Sequence, residues 1–146
     1  IEAFNKSVRK LVVIGEGSMD RELKQMAKTN IKFLGRQSFD RLKSCFSQCR
    51  ALIFPGIEDF GIIPVEVMAS GRPVIAFRGG GALETVVEKK SGLFFDELTP
   101  DSLNRVIDQF EMSDDIFNSN EIRSLAMKFS KERFLTEIDE YIGLRD

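Results

Sequence analysis

Short apolar runs halted by glycine or proline alternate along this chain with longer stretches in which apolar residues recur every three or four positions. Leu11-Val12-Val13-Ile14 runs into Gly15-Glu16-Gly17, Ile31 to Leu34 into Gly35, Ala51 to Phe54 into Pro55-Gly56, and Val74 to Phe77 into Gly79-Gly80-Gly81, while Gly92 to Phe95 closes the series. Runs this short, with little polar alternation, predict buried parallel strands. The stretches between them predict helices. Ser18 or Asp20 can cap one with Leu23, Met26 and Ala27 on one face, and Ser38 precedes another with Phe39, Leu42, Phe46 and Cys49 inward. A helix is expected after the triple glycine, through Glu88. Thr99-Pro100-Asp101 supplies a capping hydroxyl, a proline at the first helical position and an acid in the first turn, ahead of the stripe Leu103, Val106, Ile107 and Phe110. From Asn118 to Tyr141 the apolar residues Ile122, Leu125, Ala126, Phe129, Phe134, Ile138 and Tyr141 predict two helices, or one bent near Ser130. Strands alternating with amphipathic helices predict an α/β fold, a doubly wound parallel sheet with helices on both faces.

The most specific chemistry lies between Glu58 and Ala76, where Glu58 and Glu66 stand either side of seven residues across a predicted loop-to-helix junction. Pro64 suits a first helical turn, and Gly71 with Pro73 ends the helix, so Glu66 falls near a helix start and Glu58 in the loop at the carboxyl end of a strand. Open α/β sheets bind ligands at that edge, and both carboxylates can face one crevice there. Gly61, Ile62 and Ile63 would offer backbone N–H groups, with the helix dipole behind them, to phosphate oxygens, while the carboxylates accept hydrogen bonds from sugar hydroxyls. The chemistry suggested is nucleotide-sugar binding. An acid in a first turn also offsets the helix dipole, and a loop Glu-Asp pair also suits a solvated surface, so the residues alone leave both readings open.

Composition narrows the partners. A chain of 146 residues, 42% hydrophobic, fits one domain with an ordinary core. A net charge of -2 provides no general basic field, so nucleic acid is not an expected partner. No apolar run approaches the roughly 20 residues that span a bilayer, and the expected location is cytoplasmic. Histidine is absent, which removes the commonest general base and metal ligand. Cys45 and Cys49 match neither a metal-ligand set nor a disulfide framework and are expected as reduced thiols on a helix face. Gly15-x-Gly17 is a fragment of a dinucleotide fingerprint with Asp20 where its third glycine belongs, which argues against NAD. Gly79 to Gly81 can cradle a phosphate or serve a strand-to-helix turn that needs positive φ.

The segment EDFGIIPVEVMASGRPVIAF, with ALIFP before it and GGGALETV and SGLFF after it, resembles the E-x7-E signature of retaining glycosyltransferases of family 4, and residues 11 to 95 follow that family's order of segments. The resemblance implies a Rossmann-like domain, the C-terminal half of a GT-B fold, that binds a nucleoside diphosphate sugar such as GDP-mannose. Glu58 matches the glutamate placed against the transferred sugar, and Glu66 the one that accepts hydrogen bonds from the ribose. Phe60, Gly61, Ile62 and Ile63 would lend N–H groups to sugar and diphosphate. Gly15 and Gly17 resemble the turn beneath the nucleotide, and Gly35, Arg36 and Gln37 the loop that meets the base. The implied reaction is retaining hexosyl transfer to a polysaccharide or glycolipid acceptor, with no cofactor and no metal. The Asp-x-Asp metal motif does not occur, the nearest acidic pair being Asp114-Asp115, expected to be solvated.

Two further expectations follow from the resemblance. The family's central strand, its Gly-Arg pair and its basic phosphate ligand would precede Ile1, and a sheet in the order 3-2-1-4-5-6 without that strand would carry unpaired backbone and an apolar seam. Ile1 to Phe4 reads as the end of a helix, so residues 1 to 146 are expected to be one donor-binding domain truncated at its N-terminus. An N-terminal Rossmann-like domain would hold the acceptor, and peripheral attachment at the inner face of a membrane would belong to the longer protein. The alternatives are a non-catalytic nucleotide-binding or scaffold module, and a sugar-nucleotide epimerase of the same architecture, which the absence of histidine disfavours.

Overall fold

Five short strands, all paired in parallel, organise the chain, and the computed structural model describes residues 1–113 and 116–143. Strand β1 (Leu11–Val13) pairs with β2 (Ile31–Phe33), with Leu11 opposite Ile31. Strand β4 (Val74–Phe77) lies between β3 (Leu52–Phe54) and β5 (Gly92–Phe95), with Phe54 opposite Ala76 and Phe77 opposite Phe95. Each strand ends at or within one residue of its expected limits, because Ile14, Leu34 and Ala51 fall outside the ladders. The eight helices seen among the described residues are α1 (Glu2–Asn5), α2 (Asp20–Met26), α3 (Phe39–Gln48), α4 (Ile62–Ala69), α5 (Ala82–Thr85), α6 (Pro100–Met112), α7 (Ser119–Ala126) and α8 (Lys131–Gly143). A 3₁₀ turn over Met127–Phe129 joins the last two, which places the expected bend at Ser130.

Side-chain alternation sends the two faces of the β3-β4-β5 sheet into different cores. Ile75, Leu93 and Phe95 pack with Ala3 and Phe4 of α1 and with Leu103, Val106, Ile107 and Phe110 of α6. Val74, Ala76 and Phe94 pack on the other face with Met68 of α4 and with Ile122 and Ala126 of α7. Helices therefore cover both faces, as the doubly wound reading requires. Leu11, Val13 and Ile31 join the first core, so the two sheets share one apolar interior although β1 and β3 make no ladder with each other. On β1, Val12 is 51% exposed and lies opposite Lys32 in the register.

Several local expectations are corrected. Neither Ser18 nor Asp20 caps α2, whose N-cap is Met19 without a side-chain bond; Asp20 sits in the first turn and pairs with Lys24 at 2.6 Å. Of the α2 stripe, Leu23 is half-buried and Ala27, the C-cap, packs against the first core, whereas Met26 is exposed. Ser38 caps α3 as expected, yet Phe39 is 60% exposed: the first turn overhangs the core, and the ring instead lies 4.4 Å beneath the Lys43 ammonium. Helix α5 stops at Thr85, not Glu88. The run Thr85-Val86-Val87 is β-branched, Val86 is extended, and the Ser91 hydroxyl accepts from the Val87 N–H, turning the chain into β5. On α8 the apolar residues Phe134, Ile138 and Tyr141 lie exposed. Asp114 and Asp115 lie outside the described residues. Cys45 and Cys49 are free thiols, and burial pushes Cys49 up from its ordinary pKa. No helix among the described residues is long and apolar enough to cross a membrane.

One ion cluster fastens the lead-in to β1 onto α6. Arg9 donates to Glu111 Oε2 at 2.8 and 3.0 Å and also reaches Asp108, while Arg50 reaches Glu111 Oε1 at 3.2 Å. The Arg9 hydrogen bond holds the Glu111 carboxyl below its ordinary 4.5. A carboxyl depressed by folding contributes stability that is present above its unfolded pKa and is lost as pH falls through the folded one. We expect Glu111→Gln to lower Tm at pH 7 by about 1–4 °C, the range for a partly exposed cluster worth about 1 kcal/mol or less. The gap to the parent protein should close below pH 4.5, and a gap unchanged at pH 3 in thermal scans would contradict this.

Candidate functional site

Parallel pairing sets the carboxyl ends of β3, β4 and β5 on one edge, and those of β1 and β2 on one edge of their own sheet. The loop leaving β3 runs exposed from Pro55 to Phe60 and turns into α4 at Gly61. Gly61 has φ 78°, the left-handed region, and is buried with the Phe54 ring and Pro64 around it. Only glycine takes that conformation there without strain. As the N-cap of α4 it has no side chain to offer, so the N–H groups of Ile62 and Ile63 keep their outward capacity, with the dipole of α4 behind them. Gly71, at φ 77°, ends the helix, and Arg72 ties it to α3 by donating to the Ser47 carbonyl at 2.6 and 2.9 Å.

Helix α4 is apolar on nearly every side, with Val67 and Met68 fully buried, and Glu66 is its one charged residue. Glu66 is the fifth residue of the helix, a turn further in than its expected place near the start. It is half-buried and lines a groove of about 530 Å³ between α3 and α4, with Phe39, Lys43, Ser44, Ser70 and Arg123. Glu58 does not line this groove; it stands exposed on the preceding loop. The two carboxylates thus occupy the loop and the flank of one helix rather than a single enclosed crevice.

The Glu58 loop is fastened from beneath. Its Glu58 carbonyl accepts the Gly81 N–H at 2.8 Å, and Phe60 meets Phe129 edge-on with ring centroids 5.5 Å apart. At the other sheet the Gly15 N–H donates to the Gly35 carbonyl at 2.9 Å, and Glu16 Oε1 accepts from the Arg36 N–H at 3.4 Å. Gln37 folds back onto the Leu34 and Arg36 carbonyls at 2.6 and 3.1 Å. The structure therefore joins the Gly15-Glu16 turn to Gly35 and Arg36, and a Cβ at either Gly15 or Gly17 would meet open space. Among the described residues no three Cys, Asp or Glu side chains converge as metal ligands would. Arg78, at the end of β4, is engaged by Asp96 at 2.6 Å and by Glu88 at 2.9 Å and stacks over Phe94, and its two carboxylate partners raise its pKa further.

Residues 1–128 match the family described as glycosyl transferases group 1. This chain belongs to that family. The uncharacterized glycosyltransferase MJ1178 of Methanocaldococcus jannaschii is 33% identical over 125 residues, covering 82% of this chain and 34% of the relative. The mouse alpha-1,3/1,6-mannosyltransferase ALG2 is 31% identical over 132 residues, 84% of this chain and 31% of the relative. The chain thus spans about a third of the length of these curated relatives. The crystal structure of Anabaena HepE in complex with UDP-glucose superimposes with a TM-score of 0.77 at 22% identity, over 92% of this chain and 40% of that one. The group 1 glycosyltransferase domain accordingly has the α/β architecture of the GT-B enzymes.

Sequence reasoning missed the contact of Gly80 and Gly81 with the Glu58 loop, for which the triple glycine was the only signal, and the Phe60–Phe129 contact, for which there was none. The geometry at Gly61 is testable by stability alone. We expect Gly61→Ala to cost about 1–2 kcal/mol, the penalty of placing a Cβ in the left-handed region. Gly56→Ala, in the same loop but with open space and no positive φ, should stay within about 0.5 kcal/mol. Equal losses for both in urea denaturation would overturn this account of the turn.

Proposed function

We propose that this domain binds the nucleoside diphosphate sugar in a retaining hexosyl transfer, with Glu58 against the transferred sugar and Glu66 on the ribose. The observation that carries the reading is the uncapped N-terminus of α4, whose Ile62 and Ile63 amides follow directly on the exposed Glu58 loop at the carboxyl edge of the sheet. Phe60 to Ile63 would hold sugar and diphosphate, and Gly15, Gly17, Arg36 and Gln37 would lie under the nucleoside. In the transfer the sugar's bond to the diphosphate breaks, a bond to the acceptor hydroxyl oxygen forms with the same anomeric configuration, and the hydroxyl proton passes to the departing diphosphate. Negative charge grows on the departing diphosphate, and fixed N–H donors at a helix N-terminus stabilise charge of that kind without reorganising. The reading invokes no metal and no cofactor.

The relatives bear on the choice of donor. The mouse protein is a mannosyltransferase by name, which supports GDP-mannose, while HepE was crystallised with UDP-glucose, which keeps a uridine donor in contention. The acceptor would be a glycan or lipid-linked saccharide held by an N-terminal Rossmann-like domain, and a further parallel strand between the free edges of β1 and β3 would join the two sheets. The reading takes the enzyme to be cytoplasmic, with peripheral membrane attachment through the acceptor half.

Kinetics on the intact protein test the assignment. Glu58→Ala should chiefly lower kcat, by about a hundredfold or more if it acts only near the transition state, whereas Glu66→Ala should chiefly raise the donor KM. Calorimetric titration with GDP, UDP and ADP should show one nucleotide bound selectively and lost in Glu66→Ala. Unchanged kinetics in both variants would sink the assignment.

A further inference from the structure

The turn after β4 approaches the Glu58 loop more closely than side chains allow. Gly80 has φ 58°, and a Cβ built on it would stand 2.5 Å from the Glu58 carbonyl oxygen and 3.1 Å from Ile57 Cγ2. Gly81 has an ordinary φ of -63°, so conformation does not require glycine there. Clearance does: a Cβ at Gly81 would run into the Phe60 Cα and carbonyl and lie 2.5 Å from the Asp59 carbonyl oxygen. Contacts that close are with backbone, which cannot rotate away as a side-chain tip can. The Gly81 N–H completes the fit by donating to the Glu58 carbonyl at 2.8 Å. Helix α5, which begins right after Gly81, is only 4 residues long, and the N–H groups of its second and third residues already bond inward: Leu83 to Gly80 and Glu84 to Gly81, both at 3.1 Å. The turn is therefore occupied as a support for the loop and is poorly suited to cradle a phosphate.

We propose that Gly80 and Gly81 are positioning residues, whose missing side chains set how deeply the backbone of Glu58, Asp59 and Phe60 sits, and hence where the Glu58 carboxylate stands over the donor. The inference rests on the proposed role of Glu58. Glu66 and the Gly35 to Gln37 loop lie outside the contact, so displacement of the loop should harm the sugar end of the donor and spare the nucleoside end.

The experiment compares the parent protein with Gly81→Ala, Gly80→Asn and Glu58→Ala in the intact enzyme. Asparagine tolerates the left-handed region, so Gly80→Asn keeps φ and adds only the clash. In both glycine variants kcat should fall about a hundredfold, the scale of a misplacement near 1 Å, while inhibition by UMP or GMP stays within about twofold. Ile107→Ala, a core change in α6 remote from the turn, should lower Tm and leave kcat in place, separating position from stability. A folded Gly81→Ala or Gly80→Asn enzyme with parental kcat would overturn the proposal. If Glu58→Ala also retained transfer, the failure would belong to the site assignment instead. Should neither glycine variant fold, amide exchange on the parent protein decides: a protected Gly81 N–H upholds the support, and exchange at the rate of a free loop overturns it.

Discussion

The pairing of β3 with β4 is the constraint from which the site follows. Phe54 opposite Ala76 brings two loops out of the sheet side by side, one carrying Glu58 and the other the triple glycine. Their carbonyl and N–H groups would be left facing each other at the carboxyl edge, and the Gly81-to-Glu58 bond satisfies one such pair. The sheet's own stability supports this arrangement, because β4 buries Val74 and Ala76 in one core and Ile75 in the other. A shift of β4 by one residue would exchange those faces, so the register that holds the core is the register that aligns the loops.

The same logic explains why the two halves of the domain differ. Strands β4 and β5 have helices on both faces and are buried almost throughout, whereas β1 alternates, with Val12 exposed between Leu11 and Val13. The small sheet is held by its inward residues, by Asn30 donating to the Phe4, Ser7 and Arg9 carbonyls, and by the Arg9 cluster on α6. These are ties of the surrounding segments and not of the ladder. Position of the Gly15 and Gly35 loops relative to Glu66 therefore depends on packing through α1 and α6 rather than on strand-to-strand hydrogen bonds, a less direct coupling than the one within β3-β4-β5.

What was legible in the sequence was what local chemistry dictates. The strands, the Thr99 and Ser38 caps, the proline at the start of α6 and the glycine stop of α4 all reside in residues whose backbone preferences act alone. The errors came where a neighbour decides. Phe39 fits an inward helical stripe by spacing, but the first turn of α3 has no core beneath it. The sequence after the triple glycine predicts a helix through Glu88, whereas three β-branched residues and the Ser91 hydroxyl end α5 early. Phe134, Ile138 and Tyr141 have the spacing of a buried face, yet spacing cannot say whether another surface is present to bury them. At the candidate site, the E-x7-E spacing singles out two glutamates but not their separate surroundings, since the groove around Glu66 is built by α3 and α7 from distant parts of the chain.

The three adjacent glycines show why one residue type resists a single explanation. Gly80 needs positive φ and clearance together, and Gly81 needs clearance at ordinary φ, while a Cβ on Gly79 would meet side chains alone, the Phe77 ring at 3.0 Å and Ile57 Cγ1 at an ordinary 3.8 Å. A phosphate cradle and a tight turn are the two readings that sequence allows for such a run, and both treat the glycines as serving their own loop. The structure shows a third: Gly80 and Gly81 serve a loop more than 20 residues earlier in the chain, by being absent from the space that its backbone fills. Backbone against backbone is the stiffest contact available to a protein surface loop, having no rotamers to absorb error. The loop at Glu58 is thus exposed on its side chains and braced through its backbone, where the Glu58 carbonyl accepts the Gly81 N–H.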